Sequence, residues 1–166
     1  MFASLAFKAT RFFFLQAVLL CIFYFPFLSG EASFFFEDIT HFFEPLCRYL
    51  GDSFRHGHLP LWNPYNYCGM SQAAISSPGI FYPPNLIFAI LPFSAALATL
   101  MLFSQCVAGL GVFLLIMSLS WGELAAITGG IIVALSGYMF SFSNNYTLVS
   151  AASWLPLLFF SISSIK

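Results

Sequence analysis

Charge is what this chain has least of. Charged residues make up 7% of it, against about a quarter in an ordinary soluble domain. The net charge of −1 leaves no basic patch, which excludes an electrostatic nucleic-acid footprint. Also missing are a glycine-rich phosphate loop, a zinc-spaced set of cysteines and histidines, and a serine nucleophile elbow. What fills the chain instead is hydrocarbon: 60% of residues are apolar, and phenylalanine alone occurs 23 times. A soluble domain cannot bury that much, so lipid is the solvent for most of this sequence.

The few ionisable groups are gathered in one place. Glu31, Glu37, Asp38, Glu44, Arg48, Asp52 and Arg55 lie within 25 residues of one another, and His41, His56 and His58 lie among or just after them. This polar segment, 31–84, is where chemistry is expected. Before it, Lys8 and Arg11 precede an uncharged run over 12–30. At 1.5 Å per residue that run reaches ~28 Å, enough to cross a hydrocarbon core. A cleaved signal peptide ending near Gly30 is the rival reading, but the run is longer than the usual apolar region of about 7–15 residues.

After the polar segment, residues 85–91 are bracketed by Pro84 and Pro92 and reach only ~10 Å, so they predict a short interfacial or re-entrant helix. Further spans are predicted over 94–119, 124–142 and 147–165. Gly109 and Gly111 predict close backbone approach, and Ala126, Gly130 and Ala134 mark one closely packed helix face. The expected fold is therefore an all-α integral membrane protein: one membrane module, four spans, and a large structured outer loop between the first and second. Lys8, Arg11 and Lys166 put both termini in the cytoplasm and the loop outside. The spans hold almost no charge, which gives a transporter little support.

Within the loop, Phe42, Phe43, Leu46, Leu50 and Phe54 recur at three- and four-residue spacings, predicting an amphipathic helix over about 39–54. Glu44, Arg48 and Asp52 fall on its wet side, with Glu44 and Arg48 spaced as an ion pair. Arg55-His56-Gly57-His58 suits a phosphate or metal contact, or a turn ending that helix; the turn is favoured because Gly57 fits a terminator. Asp38 could take a proton from a hydroxyl or hold a divalent cation against a phosphate, with Glu37 beside it; a solvated loop acid is the alternative. An oxidising exterior permits a Cys47–Cys68 bridge, and the two are expected to lie close enough to form it.

Leu59-Pro60-Leu61-Trp62-Asn63-Pro64-Tyr65, then Gly69, then Phe81-Tyr82-Pro83-Pro84-Asn85 form a distinctive series. With Asp38 upstream, and Ser136-Gly137-Tyr138 and Trp154-Leu155-Pro156 downstream, the chain resembles the amino-terminal part of the YfhO family. These are bacterial multi-span proteins similar to GT-C glycosyltransferases. The resemblance implies sugar transfer from a polyprenyl-phosphate donor at the outer face of the bacterial cytoplasmic membrane. It implies Asp38 as the catalytic carboxylate of the loop, acting as base, with Glu37 completing an acidic pair and a divalent metal at Asp38 as a candidate cofactor. Arg55, His58, Trp62, Asn63 and Tyr82 are the candidate substrate-binding residues, Arg55 for the donor phosphate. Family members are several times longer, so a fragment or split subunit is expected, with the missing carboxy-terminal part or a partner subunit beside it. The alternative function is a non-catalytic membrane subunit or a truncated remnant.

Overall fold

The computed structural model describes residues 2–32, 38–75, 77–142 and 145–164. Four helical segments are long and apolar enough to cross a membrane: Leu5–Leu28, Phe93–Ser118, Glu123–Ser141 and Tyr146–Ser163. The protein is an α-helical membrane protein, with one short hairpin as its only sheet among the described residues. The first helix, α1 (Phe2–Leu28), begins well before the expected position 12, because no Pro or Gly interrupts its first turns. Gly30, at φ +83, stands just beyond its end.

The chain divides into two compact units. The first comprises 1–25 and 101–166. It holds most of α1 and of α3 (Phe93–Ser118), with α4 (Glu123–Ala134), α5 (Gly137–Ser141), α6 (Tyr146–Ser153) and α7 (Leu155–Ser163). The third span breaks at Ser136, whose side chain caps α5. The fourth breaks at Trp154, because Pro156 cannot donate to the helix before it.

Phe12, Gln16, Leu20 and Tyr24 recur every four residues on α1 and are all buried, while Phe14, Val18, Ile22 and Phe25 are exposed. In a bilayer those exposed side chains meet lipid, as an apolar span requires. Phe12 stacks on Phe113 with ring centroids 4.6 Å apart. Ala126, Gly130 and Ala134 form the buried face of α4, as their spacing predicts. A Cβ on Gly130 would strike the Phe12 ring, one on Gly109 would strike the Gln16 amide, and one on Gly111 would come within 2.9 Å of the Leu157 backbone. Both α3 glycines therefore serve close approach.

Polar side chains bind this unit internally. Gln16 Nε2 donates to the Gln105 carbonyl at 2.7 Å, and Gln105 Nε2 donates to Tyr24 Oη at 2.9 Å. Ser104 and Ser150 share a hydrogen bond at 3.2 Å. Such bonds hold helices together where water is absent. At one end of the unit, Lys8 pairs with Glu123 at 2.9 Å and Ser118 hydrogen-bonds Ser163 at 3.0 Å. The start of the first span, the end of the second, the start of the third and the end of the fourth thus share one side.

The second unit comprises 26–100. The predicted helix over 39–54 forms in two pieces: a π-helical turn, Ile39–Phe43, then α2 (Glu44–Arg55). Pro45 is the cause. It lacks the N–H that α-helical pairing needs, so the Glu44 N–H reaches back to the Ile39 carbonyl instead. Phe43, Leu46 and Leu50 are buried as expected, whereas Phe42 is exposed, because the wider turn rotates it off the stripe. Arg48 pairs with Glu44 through Nε and Nη2, at 2.8 and 2.7 Å.

The short helix runs over Pro83–Ala89 as a 3-10 helix, starting two residues early because prolines are tolerated in a first turn. It packs on α2 at Gly51, where a Cβ would overlap the Phe88 carbonyl. Gly57, at φ +72, ends α2 as predicted: its N–H reaches the Phe54 carbonyl at 3.0 Å, and the His58 N–H reaches Ser53 at 2.9 Å. Between α2 and the 3-10 helix lies an antiparallel hairpin, β1 (Trp62–Asn63) and β2 (Met70–Ser71), with Trp62 opposite Ser71. Cys47 is buried in α2 and Cys68 is exposed in the hairpin loop, and no disulfide joins them. The expected bridge is not formed.

Candidate functional site

An open concavity in the polar unit starts from one face of α2. Tyr49, Asp52, Ser53 and His56 are spaced by three, four and seven residues from the first, so a helix lines them up. With His58 from the turn and Tyr65 from the hairpin, they line an open cleft of about 450 Å³. The hairpin is tied to α2 by Tyr49 Oη, which donates to the Trp62 carbonyl at 2.7 Å. Tyr65 meets the Tyr49 ring edge-on, with centroids 5.7 Å apart. His56 Nδ1 lies 2.7 Å from the Asp52 carbonyl oxygen. A carbonyl only accepts, so Nδ1 carries the proton and Nε2 of the neutral ring is left as an acceptor.

The hairpin loop is shaped by its own side chains. Asn63 is 2% exposed; its Oδ1 accepts from the Tyr65 N–H at 2.9 Å, and its Nδ2 donates to Gln72 Oε1 at 3.2 Å. The Asn-Pro-Tyr part of the first motif is therefore a side-chain-closed turn. Tyr67 (φ 52) and Cys68 (φ 61) adopt left-handed backbone, followed by Gly69 (φ 111) under the Trp62 indole. Tyr65 and Tyr67 project from this loop at 80% and 83% exposure. In the second motif Asn85 is buried and donates through Nδ2 to the Pro78 and Gly79 carbonyls, which fixes the turn before the 3-10 helix.

The expected site residues do not gather in one place. His58 lines the cleft. Arg55 is turned away from it, donating from Nε to the Ala89 carbonyl at 2.7 Å and from Nη1 to Asp52 at 2.9 Å. It lines a smaller cavity of about 100 Å³ with Arg48, Asp52 and the start of α3. Trp62 is exposed beside the cleft, and Tyr82 lines a separate hollow with Ile80 and Phe81. Asp38 is exposed at the start of the π-helical turn and makes no capping bond with its side chain. It is not among the residues that line the cleft. Glu37 lies outside the described residues.

Among the described residues, no three His, Cys, Asp or Glu side chains converge as metal ligands; Glu37, the expected neighbour of Asp38 in such a site, lies outside them. Of the cleft residues, Tyr49 and Ser53 were not singled out in the sequence, Tyr65 entered only as part of a motif, Asp52 was read as lying on a wet helix face, and His56 was weighed as a phosphate or metal contact and set aside for a turn. Four of them carried a signal in their spacing along one helix face. No family model, curated protein or solved structure matches this chain, so its site is read from its own residues.

Proposed function

We propose that this chain is the amino-terminal module of a GT-C-type membrane glycosyltransferase. It would use a polyprenyl-phosphate sugar at the outer face of a bacterial cytoplasmic membrane. The observation that carries the reading is that the two motif strings fold within one polar unit, where the first delivers Tyr65 to a cleft with carboxylate and imidazole groups. That unit continues directly into the start of the span Phe93–Ser118, which suits a substrate with a lipid tail. The basic residues near the two termini support a cytoplasmic location for both ends and an outer location for the polar unit.

In this reading Asp38 is the general base. Its carboxylate takes the proton of an acceptor hydroxyl as that oxygen attacks the anomeric carbon. The bond from that carbon to the polyprenyl phosphate breaks, and the phosphate leaves with the electron pair. Arg55 contributes Nη2, which has no hydrogen bond to Asp52 or Ala89, to a phosphate oxygen. His58, Trp62 and Tyr82 are the substrate-binding candidates of the same unit.

The test is transfer of labelled sugar from polyprenyl phosphate in membranes carrying the native gene product. Asp38→Asn keeps the shape and removes the base, so turnover should fall by about two to four powers of ten. Glu31→Gln, an exposed acid before the site, should leave turnover unchanged. Equal turnover in Asp38→Asn and the parent removes Asp38 from the chemistry and with it this reading. One observation favours a second reading, a non-catalytic membrane subunit. Asn63 and Asn85, the asparagines of the two motifs, both hold backbone turns, as residues retained for the fold would. On that reading no variant carries out transfer, the parent included.

A further inference from the structure

We infer that the cleft formed by Tyr49, Asp52, Ser53, His56, His58 and Tyr65 is a subsite for a neutral saccharide. Its volume, about 450 Å³, is in the range of small-molecule sites. Tyr65 supplies an exposed ring face, and it is braced rather than loose. The Tyr49 ring packs against it at a steep angle, with centroids 5.7 Å apart, and Tyr49 is itself anchored to the Trp62 carbonyl. A fixed aromatic face suits the C–H face of a sugar ring, because both surfaces are apolar and flat.

The polar groups around that face are mostly acceptors. Asp52 uses Oδ1 to accept from Arg55, and a carboxylate has room for several further donors. His56 offers Nε2, because Nδ1 is engaged with the Asp52 carbonyl. Ser53 donates to the Tyr49 carbonyl at 2.8 Å, which leaves its oxygen lone pairs to accept. An acceptor-rich wall calls for a ligand that brings its own donors, and hydroxyl groups do so without charge. A purely apolar ligand would desolvate Asp52 with no return. No Lys or Arg lines the cleft, and its one carboxylate already holds Arg55, so a phosphate finds no cationic partner among the lining residues. The inference rests on the glycosyl-transfer reading in one respect only: within it, this cleft holds a sugar unit of a substrate away from the reacting atoms at Asp38. Saccharide binding itself stands apart from that reading.

The experiment is saturation-transfer NMR on the full chain in lipid nanodiscs. Maltose and methyl α-mannoside serve as neutral probes, and glucose 6-phosphate as the anionic one. At least one neutral sugar should bind saturably, with glucose 6-phosphate about tenfold weaker or worse. Tyr65→Ala should weaken neutral binding about three- to tenfold, the scale of one lost ring contact. Asp52→Asn, which keeps the size of the side chain, should narrow the gap between neutral and phosphorylated sugar. Tyr67→Ala, on the same loop but outside the cleft, should bind as the parent does. The inference is overturned if no neutral probe binds saturably, if Tyr65→Ala and Tyr67→Ala behave alike, or if glucose 6-phosphate binds as well as the neutral sugars. Saccharide binding without any sugar transfer would sink the proposed function and leave this inference standing.

Discussion

Gly51 shows how much one missing side chain decides. It lies where α2 crosses the 3-10 helix Pro83–Ala89, and any Cβ there would overlap the Phe88 carbonyl. Gly51→Ala must push the two elements apart, and overpacking of this kind costs about 1–3 kcal/mol. A lowered midpoint of thermal unfolding in detergent is the expected result; an unchanged midpoint would show that the crossing yields freely. Sequence did not single out this glycine, because its constraint is a carbonyl 37 positions away in the chain. Asn63 and Arg55 were equally opaque. Both are polar residues in a polar segment, and residue type suggests ligand binding. Only the fold reveals that Asn63 is closing a turn and that Arg55 is holding the Ala89 carbonyl.

At the scale of elements, what was legible is what has a period or a forced boundary. The spans could be read because a bilayer demands uninterrupted apolar length. The end of α2 follows from Gly57, whereas the breaks near Pro45 and Pro156, where an N–H is missing, were passed over in reading 39–54 and 147–165 as unbroken helices. Gly57→Ala places a Cβ on left-handed backbone and should cost roughly 1 kcal/mol, seen as faster amide exchange in the last turn of α2. If exchange there is unchanged, the cap contributes nothing. The hairpin was not legible. Its strands are two residues long, too short for an alternating pattern, and its turn depends on left-handed Tyr67 and Cys68, which residue type does not announce. That loop delivers Tyr65 to the cleft, so the placement of that one lining residue was hidden with it.

For the whole molecule, the sharpest prediction concerns sidedness. The ion pair Lys8–Glu123 and the Ser118–Ser163 bond gather four span ends on one side. With that side cytoplasmic, a thiol at native Cys68 should react with an impermeant reagent in intact cells. A thiol at Trp121→Cys, in the exposed turn after α3, should react only after permeabilisation. The opposite pattern would invert the protein in its membrane. The hydrogen bond from Gln16 to the Gln105 carbonyl has a consequence of a different kind, in time rather than space. Its partners are 89 residues apart in the chain. During synthesis, therefore, α1 meets the bilayer with the Gln16 amide still alone, and the carbonyl that takes its proton is made only later. Until then the first span is retained by its phenylalanines and leucines, and afterwards it has a fixed place. Sliding α1 by one turn, ~5.4 Å, would break its bonds at Gln16 and Tyr24 together. The arrival of the second span thus converts a greasy anchor into an indexed part of the bundle.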